Sequence, residues 1–256
     1  MMRTLSNGAI FLLGILFLSS CREAPLTERK QLILIPESSE MKLGEDAFKK
    51  IIKESNLSKN QALIDTVRKV GKSIAKTANR PEYKWEFIVI EDDSTANAFC
   101  LPGGKIGIYT GILPYTRDEK GLATVIGHEV GHAIARHGAE RITTSLLSQL
   151  GQIALNLIVD VEDPMVLEAL NKAYGLATGI GVILPFSRKQ ELEADRIGVS
   201  LMNEAGYNPL EALEFWKRMK HGRQGKEPIV YLSTHPVDDK RIAEIEKILQ
   251  NKNAQK

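Results

Sequence analysis

What this chain has least of is cysteine: two in 256 residues, Cys21 and Cys100. With Cys21 claimed for another role below, Cys100 has no partner. A disulfide framework is excluded, and a chain of this length is stable through the packing of its core. Cys100 reads as a small buried apolar residue rather than a nucleophile. Apolar runs long enough to span a bilayer are also missing. Ala9–Leu18 holds ten residues, and the runs at 145–159 and 174–186 are too short or too interrupted against the roughly 20 that a spanning helix needs. The latter two read as a core helix and as cover over a cleft. Charge of one sign is lacking as well. The 34 basic and 32 acidic residues leave a net +2, spread along the chain, which argues against nucleic acid and strongly acidic partners. There is no internal repeat and no long low-complexity segment. What remains is an ordinary globular composition with room for one sizeable domain.

The N-terminus reads as a processing segment. Arg3 precedes the short apolar run, which ends in Leu18-Ser19-Ser20-Cys21. A basic start, an apolar stretch and small residues before a cut site make a secretory signal. The ending resembles a bacterial lipobox, which implies cleavage before Cys21 and a lipid on that residue. Arg at position 22 then favours the outer membrane by the usual sorting pattern. The expected organisation is a signal peptide over 1–20, a tether over 21–40, one domain over 41–250 and a frayed tail over 251–256.

Within the domain, helical apolar spacing covers Leu43 to Lys53 and Ala62 to Ala78. "WEFIVIED" alternates and is β-branched, a strand. "NAFCLPGGKIGIYTGIL" reads as strand, Pro-Gly-Gly turn, strand. Thr116 and Glu119 have capping-box spacing, which predicts a helix from Thr116 to a stop at Gly138. Further helices are expected over about 142–159 and 164–177. Ser187 and Gln190 form a second capping-box pair opening a helix to Gly206, and Asn208-Pro209 opens another to about Lys220. Gly222 to Thr234 reads as loop and Asp238 to Gln250 as the last helix. Many helices around a small hairpin sheet make the fold class α+β.

Chemistry is concentrated in "GHEVGHAIARHG". His128 and His132 lie four apart, one helical turn with an offset of about 40°, so both imidazoles face one small volume. Neutral imidazole suits zinc, and two such nitrogens supply half of a tetrahedron. Glu129 flanks that volume, where it can take a proton from an attacking water. A chance His-Glu-x-x-His helix does occur, so the third ligand matters. His137 is about 140° around from His132 on a regular helix and points away, toward the surface or a supporting position. The better candidate is Glu191 in "SRKQELEADRIG". Asp195, four residues on, shares its face and can accept the N–H of a ligating imidazole. Glu193 is a rival acid projecting to the opposite side.

These two segments, with "NAFCLPGGKIGIYTGIL" and "STHPVDDKRI", resemble in order the motifs of the HtpX-like zinc metallopeptidases related to the CAAX prenyl protease, over about residues 40–250. The resemblance is strongest to the soluble periplasmic lipoprotein members. It implies a mostly helical, zincin-like metallopeptidase domain with a small sheet beside the active-site helix. It implies one zinc ion per chain on His128, His132 and Glu191, with Glu129 as general base and Asp195 orienting a ligand. Asn97 to Gly104 would form the edge strand of the cleft, with Asn97, Ala98, Phe99, Cys100 and Leu101 pairing with an extended substrate; Cys100 stands where Ala is commoner in the family.

The expected activity is hydrolysis of peptide bonds in unfolded or misassembled envelope proteins, as protein quality control. The enzyme would face the periplasm, held on a bacterial membrane by a lipid at Cys21. The alternative is a latent or non-proteolytic zinc-bearing chaperone or assembly factor, against whose complete loss of proteolysis the intact Glu129 argues. His235 is left open: a fourth ligand that keeps the enzyme latent, an oxyanion stabiliser, or a loop histidine. Arg188 and Arg241 either bind carboxylates near the site or form surface pairs.

Overall fold

The structure is a computed structural model that describes residues 21–144, 147, 187–222 and 229–253. The expected leader over 1–20, nearly all of the helices over 142–159 and 164–177, and the apolar run over 174–186 lie outside the described residues. Two compact units divide the chain: Met1–Pro36 with Ala139–Gly179, and Glu37–Gly138 with Ile180–Lys256. Among the described residues, no helix is long and apolar enough to cross a membrane.

In the first unit, the segment expected to be an extended tether contains a two-stranded antiparallel hairpin. β1 (Cys21–Glu23) pairs with β2 (Lys30–Leu32), and Cys21 stands opposite Leu32. Arg29 clasps Glu140 through two bonds of 2.6 and 2.7 Å, and Thr143 Oγ1 accepts from the Leu34 amide. These two contacts join residues more than a hundred positions apart, which leaves no local signal.

The second unit opens with α1 (Glu37–Glu54), six residues earlier than its apolar spacing predicts. Acidic Glu37 and Glu40 suit a helix N-terminus, and both are held from afar: Glu37 by Arg80, and Glu40 by Arg136 at 2.7 Å. α2 (Gln61–Thr77) is capped by Asn60 and buries Val67, Val70 and Ile74. β3 (Glu86–Ile90), β4 (Ala98–Leu101) and β5 (Lys105–Tyr109) form one sheet in the order β3-β5-β4. β4 and β5 are the expected antiparallel hairpin, turned by Gly103 and Gly104, whose φ values of 79° and 83° suit glycine. β3 joins β5 in parallel.

After the single turn α3 (Leu113–Thr116), α4 (Glu119–Ile134) runs through the middle of the unit, buried at every residue from Gly121 to Ile134. Its start is not Thr116. Thr116 ends α3, Arg117 breaks the chain at φ 66°, and Asp118 caps α4 by accepting from the Lys120 and Gly121 amides. A carboxylate that takes two orphan amides at a helix N-terminus outweighs a threonine two residues upstream. Nor does α4 end at Gly138. The turn falls at Ala135 and Arg136, with Arg136 at φ 55°, and the chain is helical again from 137. The ion pair with Glu40 holds Arg136 in the conformation that glycine usually supplies.

α5 (Arg188–Glu204) carries the expected Ser187–Gln190 capping box, and the chain leaves it at Gly206 with φ 84°. α6 (Leu210–Gly222) follows Asn208, whose side chain accepts from the Leu210 amide. Within the expected loop up to Thr234 lies a short helix, α7 (Val230–Thr234), because Ile229 and Tyr231 are drawn into the core. α8 (Asp239–Asn253) closes the described chain.

α4 packs most extensively on α5, and small residues let the two backbones approach. A Cβ on Gly131 would meet Ala194 O at 2.8 Å, and one on Gly198 would meet His128 N at 2.9 Å. Backbone atoms cannot yield as a side chain can. Gly198→Ala should therefore cost about 1–3 kcal/mol in urea unfolding by forcing the helices apart. Unchanged stability would show that the seam has slack.

Candidate metal centre

Close packing of α4 on α5 brings their polar residues together inside the protein. His128 and His132 stand one turn apart on α4, as the spacing predicts, with their Nε2 atoms 3.0 Å apart. Glu191, in the first turn of α5, places Oε1 3.3 Å from His132 Nε2 and Oε2 3.5 Å from His128 Nε2. His235, just past α7, sets Nδ1 3.2 Å from His128 Nε2 and 3.1 Å from Glu191 Oε1. One ligand atom from each of the four lies within 4.8 Å of the others, and all four residues are buried.

Two imidazole nitrogens and a carboxylate oxygen are the donor set that zinc prefers. Glu191 Oε2 fits that use. It is buried and accepts no hydrogen bond, although Arg241 Nη1 lies 2.5 Å away as an ion pair. The arrangement therefore has room in its chemistry for a cation.

The surroundings fix the charges. Asp195 accepts from His128 Nδ1 at 2.8 Å, which turns Nε2 toward the cluster. Arg241, expected only as one of two arginines near the site, is 1% exposed. It bonds Asp195 at 2.7 and 2.9 Å and lies 3.7 Å over the Trp216 ring. Arg188 by contrast forms a surface pair with Asp238. Burial opposes ionisation of Glu191 and Asp195, but Arg241 and the neighbouring imidazoles outweigh it and hold both carboxyls below the usual range. Burial likewise opposes a proton on His128, yet Asp195 and Glu191 hold its pKa up at about 9. Burial pushes His132 well below the usual histidine value.

Glu129 sits beside the cluster, buried, 3.5 Å from His235 Nε2. The Tyr231 hydroxyl donates to its Oε1 at 2.7 Å, and the Tyr231 ring stacks on Trp216 at 9°. Tyr231 was not foreseen, since no spacing links α7 to α4. The segment is tied further to the loop before β4 by the Tyr231 amide, which donates to Ala96 O.

One expectation is corrected in part. His137 does not reach the surface: it is fully buried and takes the supporting position, with Nδ1 2.8 Å from His132 Nδ1. Glu193, on the other side of the helix from Glu191, is buried and bonds His137 Nε2 at 2.9 Å. The turn at Arg136 breaks the regular rotation on which the angle for His137 rested, and α5 is covered on both sides.

β4 ends the three-stranded sheet and packs against α4. Ala98 is buried, and Phe99, Cys100 and Leu101 are partly exposed. Asn97, just before the strand, has a buried Oδ1 that accepts no hydrogen bond. Burial of the thiol, with the Glu129 charge nearby, pushes Cys100 well above the usual cysteine pKa, which disfavours the thiolate that a nucleophile needs.

The profile of peptidase family M48 matches residues 61–249. The chain is 35% identical over 241 residues to the mitochondrial metalloendopeptidase OMA1 of Schizosaccharomyces pombe, covering 92% of this chain and 68% of that one. It is 30% identical over 249 residues to the OMA1 enzyme of Saccharomyces cerevisiae, covering 90% and 70%. It is 26% identical over 210 residues to the β-barrel assembly-enhancing protease of Escherichia coli, covering 80% of this chain and 42% of that protein. These similarities correct the expected placement as a lipid-anchored protein facing the periplasm from an outer membrane, because the two relatives at 35% and 30% identity are mitochondrial enzymes. The physical reason is that one basic residue and a ten-residue apolar run are too small a pattern to specify a compartment.

Proposed function

The chain belongs to peptidase family M48 and is a zinc metalloendopeptidase, and on that premise we propose that it cleaves unfolded or misassembled proteins in a quality-control role. His128, His132 and Glu191 would hold the zinc. The ion supplies Lewis-acid polarisation at such a site. Glu129 takes the proton of the attacking water and returns it to the leaving amine. Asp195 keeps His128 in the tautomer that presents Nε2.

The observation that carries the substrate class is β4, the last strand of its sheet, beside the helix that bears Glu129. An extended chain can add to Asn97–Leu101 by backbone hydrogen bonds, which read little side-chain sequence and require an unfolded segment. The test is cleavage, by the zinc-loaded protein, of one substrate offered both folded and unfolded. The unfolded form should be cut faster, and preference for the folded form would refute the substrate class.

A second reading, a latent protease, draws on His235. Its ring lies against His128, Glu191 and Glu129, so it can serve as a fourth ligand and take the position a substrate needs. His235→Ala should then raise cleavage. If His235 stabilises the oxyanion instead, the same variant should lower it by roughly 10²–10³-fold.

A further inference from the structure

His137 and Glu193 lie behind His132, outside the group of proposed ligands, and nothing in the reaction above uses them. Both are buried, as is His132. The three form a chain: His132 Nδ1 to His137 Nδ1 at 2.8 Å, then His137 Nε2 to Glu193 Oε2 at 2.9 Å.

The carboxylate sets the direction of the outer bond, and a neutral His137 sets that of the inner one. A carboxylate only accepts, so His137 Nε2 carries a proton and donates it. A neutral His137 then has a bare Nδ1, which accepts from His132 Nδ1–H. That leaves His132 Nε2 as a lone pair facing His128 Nε2 and Glu191. Both bonds run the same way, toward a buried charge, so each strengthens the other.

The two histidines of α4 are thus backed alike. His128 donates directly to Asp195, while His132 reaches its carboxylate across an intervening imidazole. A Glu193 without its charge or its acceptor would let His137 turn its Nδ1 proton toward His132, setting two donors against each other.

We infer that His137 and Glu193 are positioning residues for the metal, a relay that fixes the tautomer of His132 and so sets the affinity of the site for zinc. This rests on His132 being a zinc ligand, as proposed above.

The experiment measures zinc affinity by competition with a chromophoric chelator, on the full chain and on Glu193→Leu and Glu193→Gln, with thermal unfolding of each. Outer partners of metal ligands typically contribute 10–100-fold in affinity. Glu193→Leu should lose on that order. Glu193→Gln keeps an acceptor for His137 Nε2–H and should lose less. A residue with only a structural role would lower the unfolding temperature and leave the zinc constant alone. A nitrogen-15 spectrum of the zinc-loaded parent supplies an arm that needs no variant: His137 should carry its proton on Nε2, with Nδ1 bare. Equal zinc affinity in all three proteins, or a proton on His137 Nδ1, overturns the relay while leaving the zinc site standing. Failure of the parent to bind one zinc ion overturns the zinc reading and the relay together.

Discussion

Glu129→Gln should lower kcat by about 10²–10⁴-fold and leave the zinc in place, because the change removes a proton acceptor and almost nothing else. Gln has the same shape, and its amide can still meet the Tyr231 hydroxyl that now donates to Glu129 at 2.7 Å. The side chain is buried, so a larger change there would carry a packing cost that confuses the result. Glu129 is not among the four residues whose ligand atoms cluster, so zinc stoichiometry should stay at one per chain. Two measurements are needed together: turnover of an unfolded protein and zinc by atomic absorption. Lost turnover with zinc retained supports Glu129 as the base. Unchanged turnover in pure protein would remove Glu129 from the mechanism, and lost zinc would make it a ligand.

Arg241→Met should destabilise the protein by about 3–5 kcal/mol, since it strands buried charge. Arg241 stands between Glu191 and Asp195, the two acids that flank the histidines, and donates to the Pro236 carbonyl as well. Methionine can replace its packing against Trp216 but none of its charge. With the guanidinium gone, two carboxylates in a buried site have only the imidazoles to offset them. Chemical denaturation of parent and variant without zinc reads the effect directly. A loss below about 1 kcal/mol would put Arg241 in the class of surface pairs. Restored stability on adding zinc to the variant would show that the cation takes over the lost positive charge.

Legibility from sequence tracked the range of the interactions. The His128–His132 pair, the Ser187–Gln190 cap, the β4–β5 hairpin and the shared face of Glu191 and Asp195 all depend on neighbours within about ten residues, where helix and strand geometry are known in advance. Thr116 and Gly138 failed as helix ends for the opposite reason. Thr116 lost to a nearby carboxylate, and the turn at Arg136 is held by an acid almost a hundred residues away. The surface placement of His137 failed with them, because an angle drawn for an unbroken helix has no meaning past a residue at φ 55°, while the supporting position also expected of it is the one it takes.

Sequence alone thus determined the α+β class, the metal-binding residue types and the glutamate beside them, because the periodicity of a regular helix places such residues without help from the rest of the chain. Only the tertiary structure decided that His235 and Tyr231 close over that glutamate, that Arg241 pairs with both acids, and that Glu193 reaches His132 through His137. Each of those is a contact between elements far apart in sequence. It is set by how closely α4 and α5 pack at Gly127, Gly131 and Gly198 and by where α7 and α8 return across them, which no local pattern records.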